Sequence, residues 1–301
     1  MTESDPMTRL ILPAALASLS VLTIGNSAVS AMQAAAPASA ASASPYTYAD
    51  LADLASIAPI VLHAHIADST VLKPERAPGL AAGRARFYVE AEVVSLIRGS
   101  GPLAKRISYL VDLPLGANGK PVKLKRKQPV LLFARPVAAG AAGATSTSSV
   151  QLVAPDSQIA WDPATEAQLR AILTELVKPG APPKVTGIAS GFHVPGTLPG
   201  EGETQLFLET ATGEPVSLVI TTRADGSRTW AAAFGEIVEG AGVPRRNTLA
   251  WYRLACGLPR SLPLSKLAGT PAEDRRKAAA DYAVVLGALG DCTRTRTPPK
   301  G

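Results

Sequence analysis

Two of the three histidines in this 301-residue chain lie one residue apart, in the segment VLHAHI at residues 61–66. Alternate side chains of a β-strand point to the same face, so His63 and His65 could chelate one metal ion if a third ligand came from elsewhere. The third histidine, His193 in ASGFHVPG, could supply that ligand. One interpretation is therefore a zinc site formed by His63, His65 and His193. The other is that the two neighbouring histidines are solvated or partly buried on the polar face of a strand.

Other reactive side chains occur without the spacing that a catalytic site requires. Glu201 or Glu203, in the segment GTLPGEGETQ, would be the general base if the zinc site supported hydrolysis or elimination. With Glu209 they could also form a carboxylate pair for glycoside chemistry, but nothing in the sequence sets their separation. Ser190 precedes His193 by three residues, which points the two side chains apart on a strand. Because GxSxG and SxxK motifs are absent, the sequence does not favour nucleophilic catalysis.

The N-terminal segment predicts export. Arg9 precedes an uncharged apolar run at residues 10–25, and small residues follow, which is the pattern of a cleavable secretory signal. The run is shorter than the ~20 residues that a membrane-spanning helix needs. We expect residues 1–31 to be the signal peptide, with cleavage at residue 31 or as late as residue 40, and residues 32–45 to be a disordered leader. The predicted location is periplasmic or secreted, with no transmembrane segment after cleavage.

The two cysteines, Cys256 and Cys292, are predicted to form a disulfide. Exported chains with an even number of cysteines usually pair them. A redox-active pair would more often have the CxxC spacing, which is absent. The bond would attach the last predicted helix to the end of the strand before it.

A basic segment, KPVKLKRK at residues 120–127, concentrates five cations: Lys120, Lys123, Lys125, Arg126 and Lys127. It could be an anion-binding patch for lipid headgroups or acidic glycans, or a solvated turn between two strands. No stacking aromatic residues accompany it, and export is predicted, so nucleic acid is not the expected partner. The net charge of +6 is mild and agrees with loose contact to anionic polymers.

The elements that must hold these residues are mostly β-strands. Hydrophobic residues make up 47% of the chain and charged residues 18%, which excludes global disorder. A short helix capped by Thr47 and Asp50 begins the ordered part. Apolar alternation or an apolar run then predicts five strands, at residues 58–68, 84–97, 107–113, 130–135 and 150–154.

Five strands of this length, with the fourth apolar throughout, predict a small closed or half-closed barrel at residues 46–161. A helix leads into "IV…A.I", the long second strand ends in the turn LIRGSG, and a short apolar strand follows later. This order resembles the OB-type barrel of secreted netrin-like and TIMP-like modules. The family's N-terminal cysteines are missing, so the resemblance implies the fold and carries over no protease inhibition. The whole chain also resembles exported alphaproteobacterial proteins.

The second half predicts an antiparallel β domain with a C-terminal helix, at residues 185–301. A helix that starts at Asp162-Pro163 and a Pro/Gly-rich linker precede it, over residues 162–184. Thr270, Pro271 and Glu273 predict a capping box at the start of the last helix. Strands are expected at residues 185–193, 204–210, 216–222, 228–236 and 248–255.

The predicted function is a non-enzymatic periplasmic or secreted binding or interaction protein of the bacterial envelope, with no cofactor. Its expected partner is an envelope protein or an anionic polymer. The contact surface would be the barrel face between the loops near residues 73–83 and 137–149, with the basic segment adding affinity for anions. The alternative is a zinc-dependent hydrolase or lyase that uses the three histidines.

Overall fold

Two antiparallel sheets and four α-helices make up the part of the chain that the computed structural model describes, residues 44–100, 103–137, 149–235 and 241–298. The predicted signal peptide, most of the predicted leader and most of the loop at 137–149 lie outside these residues. In chain order the elements are α1 (Tyr48–Ile57), β1 (Ile60–Val71), β2 (Arg84–Arg98), β3 (Arg106–Pro114), β4 (Pro129–Pro136), β5 (Val150–Leu152), β6 (Gln158–Ala160), α2 (Pro163–Leu176), β7 (Val185–Pro195), β8 (Gly202–Thr210), β9 (Val216–Thr222), β10 (Arg228–Phe234), α3 (Leu249–Gly257) and α4 (Ala272–Leu289). The predicted mostly β fold with a C-terminal helix is confirmed.

The first sheet has the strand order β3-β2-β1-β4-β5, and β6 pairs with β4 beside β5. Strand β4 is buried from Val130 to Ala134, as its continuous apolar run predicts, because the two faces of the strand enter two different cores. Leu132 packs in the core formed by the strands of the first sheet. Leu131 and Phe133, on the other face of β4, belong to the core beneath the helices. The predicted cap of α1 is also present, since Thr47 and Asp50 form a capping box.

The first sheet is not closed into a barrel, which corrects the prediction. Strands β3 and β5 lie at opposite ends of the strand order. Ser108 of β3 forms an isolated bridge with Ser149, just before β5, instead of a continuous ladder. The reason is length, because β5 has three residues and β3 has nine. An open cleft of about 670 Å³ follows the gap and is lined by Tyr88, Leu110 and Arg135 among others.

The second sheet has the order β10-β9-β8-β7, and one face packs against α3 and α4. Four of its predicted strands are present, and Gly213 and Gly226 take the positive φ values that their turns require. The fifth predicted strand, 248–255, is wrong: these residues belong to helix α3. Thr248 caps this helix, and its buried residues recur at three- and four-residue intervals among good helix formers such as Leu254 and Ala255.

Helix α4 lies where the sequence predicts it, but its start differs. Pro271 is the N-cap residue and no side chain caps the helix, so the capping box of Thr270 and Glu273 is wrong. Glu273 instead pairs with Lys277 one turn later, at 3.2 Å. The apolar face of the helix, which includes Tyr282, Val285 and Leu289, is buried. The predicted disulfide is present between Cys256, at the end of α3, and Cys292, just after α4.

One apolar core beneath the helices contains residues from both halves of the chain. Leu51 of α1, Phe133 of β4, Leu218 of β9 and Tyr282 of α4 are all fully buried within it. Helix α1 contacts both α2 and α3. The division into domains at 46–161 and 185–301 stays a prediction. None of the helices in the described ranges is both long and apolar enough to cross a bilayer.

Residues 291–298, the tail segment, return to the start of the described chain. The buried carboxylate of Asp50 accepts hydrogen bonds from the Thr295 backbone and hydroxyl groups and from the Arg296 backbone. Arg294 forms a two-point ion pair with Asp53, one turn along α1. The tail segment is therefore held to α1 by charge-assisted hydrogen bonds, which are stronger than neutral ones.

Candidate functional site

His63 and His65 lie on the side of β1 that faces Trp161 and α2. The His63 ring stacks on Trp161, with the centroids 4.5 Å apart and 9° between the planes, and the His65 ring meets His63 edge-on at 5.4 Å. Glu166 places Oε2 3.7 Å from Nδ1 of His63, and it also accepts a hydrogen bond from the Trp161 indole. In the described ranges, Nε2 of His63 is buried and has no hydrogen-bond partner. His63 is thus packed in an aromatic and carboxylate cluster.

We expect this cluster to make stability depend on pH. Burial lowers the pKa of His63 from its usual 6.5, while Glu166 raises it and His65 and Arg170 lower it further. The folded state therefore binds the proton less readily than the unfolded state, so its stability is complete above about pH 6.5 and declines below that. His63→Phe keeps a flat ring against Trp161 and cannot be protonated. Urea unfolding between about pH 7.5 and about pH 5 should show a shallower loss of stability for this variant than for the unmodified protein. Equal slopes would contradict the prediction.

His193 lies apart from the other two histidines, on β7 of the second sheet. Its Nδ1 is 2.8 Å from the hydroxyl of Thr204, and that hydroxyl donates to Asp281 on α4 at 2.6 Å. In the described part of the chain, no group of three or more histidine, cysteine, aspartate or glutamate side chains is arranged to hold a metal ion. The structure thus does not bring the three predicted zinc ligands together, because β1 and β7 belong to different sheets.

The predicted acidic and serine candidates are dispersed. Glu201 lines the same pocket as His193. Glu203 accepts a hydrogen bond from the Gln205 side chain, and Glu209 pairs with Lys266 on the surface at 3.0 Å. Ser190 is exposed whereas His193 is buried, so the two face different sides of β7.

The five cations of the basic segment are exposed in the connection between β3 and β4.

A cationic cleft, which no sequence motif predicts, lies between α1, the start of β7, α3 and the tail segment. Its volume is about 310 Å³. The charged residues that line it are Lys184, Arg253, Arg294 and Asp53, and the ring of Tyr252 forms part of its wall. Three positive charges therefore face one negative charge in a partly enclosed space.

Among the described residues, Arg294 is the one of these three cations that forms an ion pair. Arg294 pairs with Asp53, its Nε 2.6 Å from Oδ2, and the Tyr252 hydroxyl donates to the same carboxylate. Arg253 donates its Nε–H to the carbonyl of Pro182 and lies 5.4 Å from the centroid of the Tyr252 ring. Within the described residues, neither Arg253 nor Lys184 has a carboxylate within ion-pair distance.

Arg253 is the unusual member of the cleft. Burial lowers the pKa of its guanidinium from the ordinary value, which means that the charge has lost part of its hydration. A partly buried charge is costly unless an opposite charge compensates it. Planar guanidinium groups bind carboxylate and phosphate oxygens in pairs. The cleft can therefore hold an anionic group next to Arg253 and Lys184.

One signal in the sequence could have indicated this cleft. Arg253 precedes Cys256 by three residues and Arg294 follows Cys292 by two. A disulfide between the cysteines necessarily brings the two arginines near each other, so the predicted bond already implied a local concentration of positive charge. Lys184 carries no such signal, because its position in the sequence is far from both cysteines.

The comparisons with known proteins add no relative. No protein-family model matches the chain, and no curated protein matches it. The resemblance of residues 46–161 to secreted OB-type modules stays a prediction.

Proposed function

We propose that the protein is an exported, non-enzymatic binding protein that holds an anionic group of its ligand in the cationic cleft. The single observation that carries the proposal is Arg253, a partly buried cation with no carboxylate at ion-pair distance in the described residues. A volume of about 310 Å³ lies at the lower end of small-molecule sites, which suits a phosphate, a sulfate or a single acidic sugar. The ligand is therefore a small anion or the acidic end of an envelope polymer.

Export is part of the same proposal. The disulfide between Cys256 and Cys292 supports it, because such bonds persist in oxidising compartments and are rare in the cytosol. The basic segment at 120–127 would act as a second, weaker contact for an extended anionic polymer, since water and salt screen its exposed charges more than those in the cleft.

The test is calorimetric titration of the purified protein with phosphate, sulfate and glucuronate, at constant ionic strength set with chloride. Arg253→Gln and Lys184→Gln should each weaken binding about tenfold or more, because a hydrogen bond to a charged group contributes about 1.5–3 kcal/mol. Lys123→Gln, in the basic segment, and Arg276→Gln, on the exposed side of α4, are the matched controls and should bind normally.

The outcomes separate the two surfaces. Loss of binding in Lys123→Gln with normal binding in Lys184→Gln would move the anion site to the basic segment and overturn the cleft. Equal binding by Arg253→Gln, Lys184→Gln and the unmodified protein would reject the proposal. Lys184 is exposed, and its side chain makes no hydrogen bond or ion pair in the described structure, so we expect its substitution to leave the fold intact.

A further inference from the structure

A second pocket, separate from the cationic cleft, lies where β7, β9, β10 and the connection between β7 and β8 meet α4. Its volume is about 210 Å³, and its lining includes His193, Glu201, Arg228, Lys277 and Asp281. It shares no residue with the cationic cleft. Both His193 and Asp281 are buried, with side-chain exposures of 3% and 2%. Buried polar side chains are normally stabilised by hydrogen bonds, so the partners of His193 and Asp281 indicate what this pocket can bind.

The side chain of Asp281 lies among three hydrogen-bond donors. Arg228 donates its Nε–H to Oδ1 at 2.7 Å, Thr222 donates to the same oxygen at 3.2 Å, and Thr204 donates to Oδ2 at 2.6 Å. The guanidinium supplies the opposite charge that a buried carboxylate needs. Because an ionised carboxylate only accepts hydrogen bonds, the Thr204 hydroxyl must donate its single proton to Asp281.

This arrangement determines which nitrogen of His193 carries the proton. The Thr204 oxygen has only lone pairs left for its 2.8 Å contact with Nδ1, so Nδ1 must be the donor. In the neutral imidazole, Nε2 is then an unprotonated acceptor. The carboxylate polarises the hydroxyl and the hydroxyl strengthens the Nδ1 hydrogen bond, so the chain increases the acceptor strength of Nε2.

Nε2 of His193 has no hydrogen-bond partner within the described residues, although it is buried. The ring packs against Gly202, where a Cβ atom would come within 2.6 Å of Nε2. Only glycine therefore allows the imidazole to occupy this position. A buried acceptor without a partner costs about 1–3 kcal/mol, which a ligand carrying a hydrogen-bond donor would recover.

Two cations lie at the same pocket. Arg228 and Lys277 are partly exposed, with side-chain exposures of 35% and 43%. Among the described residues, Lys277 pairs only with Glu273 and Asp274 on its own helix, at 3.2 Å and 3.6 Å. Such surface pairs are weak enough to be exchanged for a ligand. Glu201 supplies one negative charge to the lining.

We propose that this pocket binds a small carboxylic acid that carries an adjacent hydroxyl or ammonium group. The hydroxyl or ammonium donates to Nε2 of His193, and the carboxylate faces Arg228 and Lys277. Glu201 decides between the two donors, since it would attract an ammonium group and not a hydroxyl group. The inference does not depend on the function proposed for the cationic cleft.

The test compares glycolate, alanine and acetate as ligands of the full protein, by NMR of ¹⁵N-labelled histidine and by calorimetry. Before addition, the His193 signals should show a proton on Nδ1 and none on Nε2. Glycolate, alanine or both should shift the Nε2 signal and bind at least tenfold more tightly than acetate, which lacks the donor. Glu201→Gln should weaken alanine binding and leave glycolate binding unchanged.

Variants test the same site without relying on His193, whose substitution could disturb folding. Lys277→Gln should weaken binding of all three ligands, and Lys266→Gln, an equally exposed and ion-paired lysine outside the pocket, should not. Thr204→Val should abolish the preference over acetate, and Thr204→Ser should restore it. A proton on Nε2 in the free protein, equal binding of acetate and both other ligands, or identical behaviour of Lys277→Gln and Lys266→Gln would each overturn the proposal.

Discussion

Asp50→Ala is expected to lower the free energy of unfolding by about 3 kcal/mol. The carboxylate accepts hydrogen bonds from four groups: the backbones of Thr47, Thr295 and Arg296 and the hydroxyl of Thr295. Each buried donor left without an acceptor costs about 1–3 kcal/mol, and the tail segment limits the total because it can detach into water. Denaturant unfolding measures the loss. Limited proteolysis should also show earlier cleavage within the tail segment.

The same carboxylate should contribute to acid sensitivity. Burial acts to raise the pKa of Asp50, but the hydrogen bonds from Thr295 and Thr47 outweigh it and hold the pKa below the usual 3.8. Its contribution is therefore complete above about pH 3.8 and is lost as the pH falls further. Asp68→Ala is the control, because Asp68 is exposed and should change stability by less than about 0.5 kcal/mol. A loss below about 1 kcal/mol in Asp50→Ala would show that the tail segment does not depend on this carboxylate.

Removal of the disulfide is expected to cost roughly 3–4 kcal/mol. The bond between Cys256 and Cys292 closes a segment of 36 residues, and closing a loop of that size restricts the unfolded chain by about this amount in the chain-entropy model. The double variant Cys256→Ser, Cys292→Ser should therefore unfold at a markedly lower denaturant concentration. It should also weaken anion binding, because the bond holds α3 next to the tail segment at the cationic cleft.

Reduction provides the matched comparison for the double variant. A reductant should lower the denaturant concentration at which the unmodified protein unfolds to that of the double variant. It should leave the unfolding of the double variant unchanged. Protein taken from cells should not react with a maleimide before reduction if it is exported. Free thiols in freshly isolated protein, with stability unchanged by reduction, would contradict both the stability prediction and the proposed export.

Local patterns predicted most of the elements correctly, and the errors have physical causes. Period-two alternation is unambiguous in β2, and Pro163 after Asp162 marks the start of α2. The segment at 248–255 contains Trp251 and Tyr252, which favour strands. Its helical conformation is therefore determined by packing against the second sheet. The barrel did not close because β5 is too short, and strand length within a loop-rich segment is not encoded by periodicity.

The candidate sites were less predictable because their members are far apart in the sequence. Thr204 and Asp281 are separated by 77 residues, and neither belongs to a motif. One signal was present: Asp281 lies within the buried face of α4, beside Tyr282 and one turn before Val285. A charged residue among the apolar positions of a helix is rarely buried without a partner. The spacing of His63 and His65 on β1 suggested a metal site, but spacing along one strand does not show which side chains face that strand.

The attachment of the tail segment has a consequence for how the chain matures. Asp50 finds its hydrogen-bond donors 245 and 246 residues later, so the first turn of α1 cannot complete its contacts until nearly the whole described chain is present. Contacts of such long range slow folding, because the intervening chain must first be brought together. A ribosome-bound or partly translocated intermediate must therefore keep α1 undocked from this segment. Under the proposed export, this delayed docking would keep the chain open while it crosses the membrane.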